Sequence, residues 1–188
     1  MELTEKKPII ILIAGKARSG KSTVCQYFKE AFENMDRKVI VSPYTKYLKK
    51  YISDITGKEV TEDNKPRDLL QKLSSDLIKE RLGYHDFFIR RQIEDINIYS
   101  YFADVILIPD VRFPNEIEDI KKSFSNVISI GVIRSDFISD LTRKQQEDIT
   151  ETALDNYTNY DKIIENTSHL NLEKEVRKLI TEIGSEKK

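Results

Sequence analysis

The stretch IIILIAGKARSGKSTVCQYF, residues 9–28, constrains this chain more than any other segment. An apolar, β-branched run stops at Gly15 and a helical pattern resumes near Gly20, with small and basic residues between them that offer little to a core. Residues 15–22 fit G-x-x-x-x-G-K-[ST] at every position. In that pattern the glycines let the backbone turn its N–H groups inward and a helix start adds its positive end. Lys21 supplies a point charge and the Ser22 hydroxyl is placed for Mg²⁺. A plain strand-to-helix turn with a solvated Lys21 is the simpler reading, but the motif lies between a strand and a helix, where phosphate binding requires it. The loop packs poorly because its backbone is expected to hold phosphate.

Other short β-branched runs at 39–41, 105–108, 127–133 and 163–164 are separated by helical patterns. Nearly continuous apolar strands between helices predict a parallel sheet buried on both faces, hence an α/β chain, and 188 residues suffice for one such domain. About sixty residues separate the second and third strands, with helical patterns at 44–55, 66–82 and 85–98. That exceeds one crossover helix and predicts a helical insertion, residues 44–100, over one edge of the sheet. The polar segment 134–159, containing LTRKQQED, reads by itself as a surface loop. The remaining core is 8–43, 101–133 and 160–184.

Charge excludes one class of function. Thirty-one Lys and Arg against 32 Asp and Glu leave a formal net charge of -1, so no overall basic field recruits nucleic acid, and any phosphate must be met by local cations. The single cysteine, Cys25, forms no intrachain disulfide and reads as a small buried residue. No apolar run approaches a membrane span and the first residues lack a signal-peptide layout, so the expected location is the cytoplasm.

A second constellation, VILIPDVRFPNEIEDI, spans residues 105–120. Asp110 follows a strand, where a phosphate-binding-loop protein places a carboxylate for Mg²⁺, and Arg112 leaves the same carboxyl edge. The alternative is a turn closed by Asp110 and Pro114, with Arg112 in an ion pair. Two near-matches fail: NKPRD at 64–68 has its aspartate one residue late for a guanine-reading motif, and DVRF lacks the glycine of a γ-phosphate switch.

Taken together, GKARSGKST, QKLSSDLIKERLGYHDFFIRR, IPDVRFPNE and TETALDNY resemble the deoxynucleoside monophosphate kinases of phages and their bacterial relatives, within the nucleoside monophosphate kinase group. The resemblance implies a P-loop NTPase three-layer fold with a five-stranded parallel sheet, a helical acceptor-binding insertion and a lid at 134–159. It implies ATP binding by Gly15, Ala17, Arg18, Ser19, Gly20, Lys21, Ser22 and Thr23, and catalysis by Lys21, Asp110, Arg112 and Arg134. Ser22 and Asp110 would hold Mg²⁺, and Glu151 would lie near the acceptor. Relatives often carry histidine two residues before the Ser/Thr-Glu pair, where this chain has Asp148.

Arg67, Arg90 and Arg91 are candidates to grip an acceptor monophosphate, and Phe87 or Phe88 to stack on its base. Each has a plainer alternative as a helix ion pair or core ring. His85 and His169 read as cap or surface residues. The expected reaction is phosphoryl transfer from ATP to a (deoxy)nucleoside 5'-monophosphate, giving the diphosphate and ADP, with Mg²⁺ as cofactor. The expected partners are those two small molecules, with neither nucleic acid nor membrane, and a homodimer is compatible. The rival readings are a P-loop kinase of dephospho-coenzyme A or another phosphorylated metabolite, and a non-kinase ATP-binding regulatory module.

Overall fold

Strand β1, Ile9–Ala14, is buried along its whole length because both of its faces are covered. Ile9, Ile11 and Ile13 face one core cluster and Ile10, Leu12 and Ala14 the other, the alternation that a period of two residues imposes. The computed structural model describes residues 3–61, 64, 66–134 and 142–185. Four strands join β1 in parallel: β2 Val39–Val41, β3 Val105–Val111, β4 Val127–Ile133 and β5 Lys162–Glu165. Their order is β2-β3-β1-β4-β5, so the loop after β1 emerges mid-sheet at the carboxyl edge, where open α/β sheets bind ligands.

Helix α1, Lys21–Glu33, and α8, His169–Ser185, cover one face. Val24, Phe28 and Phe32 meet Leu172, Val176 and Ile180 there, and the rings of Phe28 and Phe32 stack at 6.2 Å. Cys25 is buried in this layer, where burial first and the Asp110 charge second push its thiol up to about 11. It remains a protonated packing residue at neutral pH.

The other face is covered by α2 Thr45–Thr56, α3 Arg67–Gln71, α4 Phe87–Tyr99 and α5 Pro114–Ser123. Leu48, Ile52, Leu70, Phe88 and Ile96 pack there on the sheet. The insertion expected over an edge therefore supplies one wall of the core, because its apolar residues recur on one side of each helix. A uniform helix was expected at 66–82. Instead α3 continues as a π-helix over Lys72–Arg81, in which Leu82 N–H donates to Leu77 O at 3.0 Å. Two short helices, α6 Arg143–Gln146 and α7 Ile149–Thr152, precede β5. No helix among the described residues is long and apolar enough to cross a membrane.

Candidate active site

The loop after β1 is shaped by residues that accept unusual backbone geometry. Gly15 lies at φ 144°, where a Cβ would stand 2.4 Å from Val132 O, and Gly20 at φ 106°, where one would stand 2.6 Å from Asn166 Nδ2. Between them Arg18 adopts φ 62°, a left-handed conformation that costs a non-glycine residue about 1 kcal/mol. The turn is held by Ser19 N–H to Lys16 O at 3.3 Å and by Asn166 Nδ2 to Ser19 O at 2.8 Å. Lys21 is buried and folds back, its Nζ donating to Gly15 O at 2.7 Å and Lys16 O at 2.5 Å. Ser19 Oγ is buried with no hydrogen-bond partner among the described residues, which suits a cradle completed by a ligand.

β3 shifts register against β1 just before the second constellation: Leu12 pairs with Ile108, but Ala14 with Val111. The extra residue falls at Pro109-Asp110, and a bulge there re-aims the Asp110 side chain. Its Oδ1 accepts from Tyr44 N–H at 2.8 Å, and its Oδ2 from Thr45 N–H at 3.0 Å and Thr45 Oγ1 at 2.8 Å. Asp110 was expected to face a metal; here it anchors the start of α2, whose free N–H groups attract a carboxylate.

The rest of the motif is a helix start. Pro114 is the first residue of α5, where its missing N–H is harmless, and Glu116 reaches back to the chain before the helix. Its Oε2 accepts from Arg112 N–H at 2.7 Å and Phe113 N–H at 3.1 Å, fixing both residues. Burial raises the Glu116 carboxyl to about 7, against the lowering effect of those two amides.

Glu151 joins the two constellations. Its Oε2 accepts from Ala17 N–H at 2.7 Å and its Oε1 from Arg112 Nη1 at 2.8 Å, and its side chain is only 10% exposed. Asp148 explains this placement: its carboxylate caps α7 by accepting from Thr150 N–H at 2.9 Å and Thr150 Oγ1 at 2.7 Å. Asp155 pairs with Lys16 at 2.7 Å, and Tyr157 donates to Glu118 Oε1 at 2.6 Å. The TETALDNY stretch is thus tied to the loop after β1 and to α5.

Two cavities meet at Glu151. One, about 530 Å³, lies against Lys16, Ala17 and Ser19 and is bounded by Arg134, Gln146 and Tyr160. The other, about 160 Å³, has apolar walls of Leu48, Leu70, Phe88 and Phe113, with Arg112 and Lys79 among its polar groups. Phe87 packs instead against Tyr51 and Phe88, at 6.4 and 5.1 Å between centroids, and does not line the cavity. Arg90 and Arg91 do not line it either: they pair with Asp86 at 3.1 Å and Glu94 at 3.2 Å on the outer side of α4. The side chains of Arg67, Lys144 and His169 lie outside the described residues. His85 is exposed.

Oxygen donors of the expected kind suit Mg²⁺ by their chemistry. Ser22, at the start of α1, is exposed, and Asp110 is partly buried with its carboxylate on Tyr44 and Thr45. No cluster of three metal-ligating side chains occurs among the described residues, and Mg²⁺ needs none, since one or two protein oxygens, phosphates and water suffice.

Sequence reasoning missed Lys79, Tyr44, Thr45, Glu116 and Asn166. Pro114 with Glu116 two residues later is a readable helix-start signal, whereas nothing local marks the other four.

No protein-family model matches the chain, and no curated protein matches it. Solved structures do. An APS kinase from Mycobacterium tuberculosis, in complex with AMPPNP and APS, is 9% identical, with a TM-score of 0.55 over 93% of this chain and 96% of that one. A shikimate kinase from Bacteroides thetaiotaomicron is 14% identical, with a TM-score of 0.52 over 94% and 98%. A shikimate kinase from Aquifex aeolicus is 13% identical, with a TM-score of 0.51 over 95% and 99%. At these identities the likeness shows the fold: a three-layer α/β arrangement around a five-stranded parallel sheet.

Proposed function

We propose that this chain is an ATP-dependent phosphotransferase whose acceptor is a (deoxy)nucleoside 5'-monophosphate. The observation that carries the reading is the meeting of two cavities at one point beside the phosphate-binding loop, with Arg112 and Glu151 between them. A hydrolytic switch needs only the first cavity. The described kinase of like fold that holds AMPPNP and APS supports the coarser reading, transfer from ATP to a small acceptor.

In this mechanism the loop amides, Lys21 and the Ser19 hydroxyl hold the donor phosphates, with Arg134 beside the donor. Mg²⁺, held by Ser22 and through water by Asp110, would neutralise phosphate charge. Arg112 faces the phosphoryl group in flight, and a guanidinium there binds the transition state more strongly than either substrate. Glu151 cannot keep its place, because a carboxylate beside a triphosphate is repelled. It withdraws when ATP arrives, carrying α7 and residues 142–159 as a lid; residues 135–141 of the expected lid 134–159 lie outside the described residues. The 160 Å³ cavity is smaller than sites for nucleotide-sized ligands, which usually exceed about 300 Å³, so the wall at Leu70 and Gln71 of α3 gives way to admit the acceptor. The same volume favours, as a second reading, a smaller phosphorylated metabolite.

The test is ADP release from ATP and Mg²⁺ with each ribo- and deoxynucleoside monophosphate, and in parallel with small phosphorylated metabolites. Release that depends on one nucleotide supports the first reading, and release with a metabolite alone the second. ADP release indifferent to every acceptor overturns both.

A further inference from the structure

We propose that Lys79 is the second cation of the acceptor site, set with Arg112 around Phe113 to hold the acceptor's phosphate, and that an oxygen of this phosphate is the attacking group. The inference rests on the kinase reading and names the residue that selects its acceptor.

Lys79 lies on the π-helix, with its Nζ 3.7 Å from the centroid of the Phe113 ring. It lines the smaller cavity and makes no hydrogen bond or ion pair among the described residues. Three arginines named above differ. Arg112 is paired with Glu151, and Arg90 and Arg91 with their own helix neighbours. Burial depresses the Lys79 pKa, while the Glu116 and Glu80 charges only partly oppose it. A part-buried ammonium with a ring face beneath it is an incomplete site, since a cation–π contact replaces little of the hydration it loses. A phosphate dianion completes it.

Position decides what that anion does. Arg112, adjacent to Phe113 in the chain, has Nη1 3.4 Å from Gly15 O, so this end of the cavity abuts the phosphate-binding loop. An anion bound here lies at the reacting end rather than at a remote handle of the acceptor. A hydroxyl nucleophile at this point would need a base. Asp110 is held by three donors at the start of α2, Glu116 by two backbone amides, and Glu151 leaves the site when ATP arrives. A phosphate oxygen is already anionic and needs no base. It forms the new bond to the γ-phosphorus, the bond from that phosphorus to the β,γ-bridging oxygen breaks, and ADP leaves with the electron pair. The product is a phosphoanhydride, and no protein group gains or loses a proton.

The experiment compares wild type with Lys79→Met and Lys79→Arg. The acceptor KM should rise roughly tenfold or more in Lys79→Met, the loss of one charge-assisted contact. The ATP KM and melting temperature should stay near wild type, and Lys79→Arg should restore most of the acceptor affinity. A purely structural role would instead move the melting temperature and both KM values together. An unchanged acceptor KM in Lys79→Met overturns the proposal and leaves the kinase reading intact. Transfer to an unphosphorylated nucleoside overturns the choice of nucleophile. Should no nucleoside monophosphate accept phosphate, the nucleotide reading fails, and titration with inorganic phosphate under saturating ADP decides on Lys79 independently. Weaker phosphate binding by Lys79→Met supports the anion site, and equal binding refutes it.

Discussion

Glu116→Gln should alter the pH dependence of stability in a way that the geometry of α5 fixes in advance. Burial holds the Glu116 carboxyl at about 7, against an ordinary value of 4.5. The folded chain therefore keeps this proton over a range in which the unfolded chain has released it. Between pH 4.5 and 7 the unfolded state binds fewer protons, so raising the pH destabilises wild type through this group. A shift of this size corresponds to about 3 kcal/mol, complete near pH 7 and level above it. Glutamine has no proton to lose, and its carbonyl oxygen can still accept from the Arg112 and Phe113 amides. The stability of Glu116→Gln minus that of wild type should thus climb by about 3 kcal/mol across this window, whatever its offset at low pH. Carboxylates whose values lie below normal, such as Asp104 and Asp161, affect both proteins alike and cancel in the difference. Urea denaturation at half-unit pH steps measures this curve. A flat difference, or one that falls with pH, would refute the assignment of a protonated, buried Glu116.

Lys21→Ala should lower turnover by about a hundredfold or more while shifting stability by less than about 1 kcal/mol, as steady-state kinetics and thermal melting would show. Glu151→Ala should tighten ATP binding and raise acceptor-independent ADP release, because it removes the carboxylate held by Ala17 N–H and Arg112; calorimetry showing weaker ATP binding would contradict the withdrawal of Glu151. Gly15→Ala should destabilise by about 3 kcal/mol in denaturant titration, since it combines a φ of 144° with a Cβ 2.4 Å from the Val132 carbonyl; a loss below 1 kcal/mol would mean that the loop relaxes freely.

The α/β class and the tight turn after β1 were legible because their signals are local. A strand buried on both faces must be apolar at consecutive positions, and 9–14 is. The loop's glycines stand where backbone geometry and close contacts exclude side chains. The smaller cavity was not legible, because its residues are assembled by tertiary geometry. Arg90 and Arg91 beside two phenylalanines resemble a nucleotide grip, yet Asp86 and Glu94, four residues before and three after, turn them outward. Asp110 is redirected by a register shift that composition does not announce. Glu151 reads as the third residue of a capped helix, and only the folded chain brings it to Ala17 and Arg112.

The π-helix at Lys72–Arg81 carries a consequence for how such a chain can vary. Each of its turns holds one residue more than an α-helix needs, a wider winding that is rare and concentrated at functional sites. Removing that surplus, about one residue per turn, would let the segment wind as ordinary α-helix with better backbone geometry. The same deletion would change the angular positions of residues within the segment, taking the Lys79 ammonium away from the Phe113 ring and from the cavity that Gln71 and Ser74 also line. A shortened homologue would then be the sturdier protein and the poorer enzyme, so selection for stability and selection for the acceptor pull this segment toward different lengths.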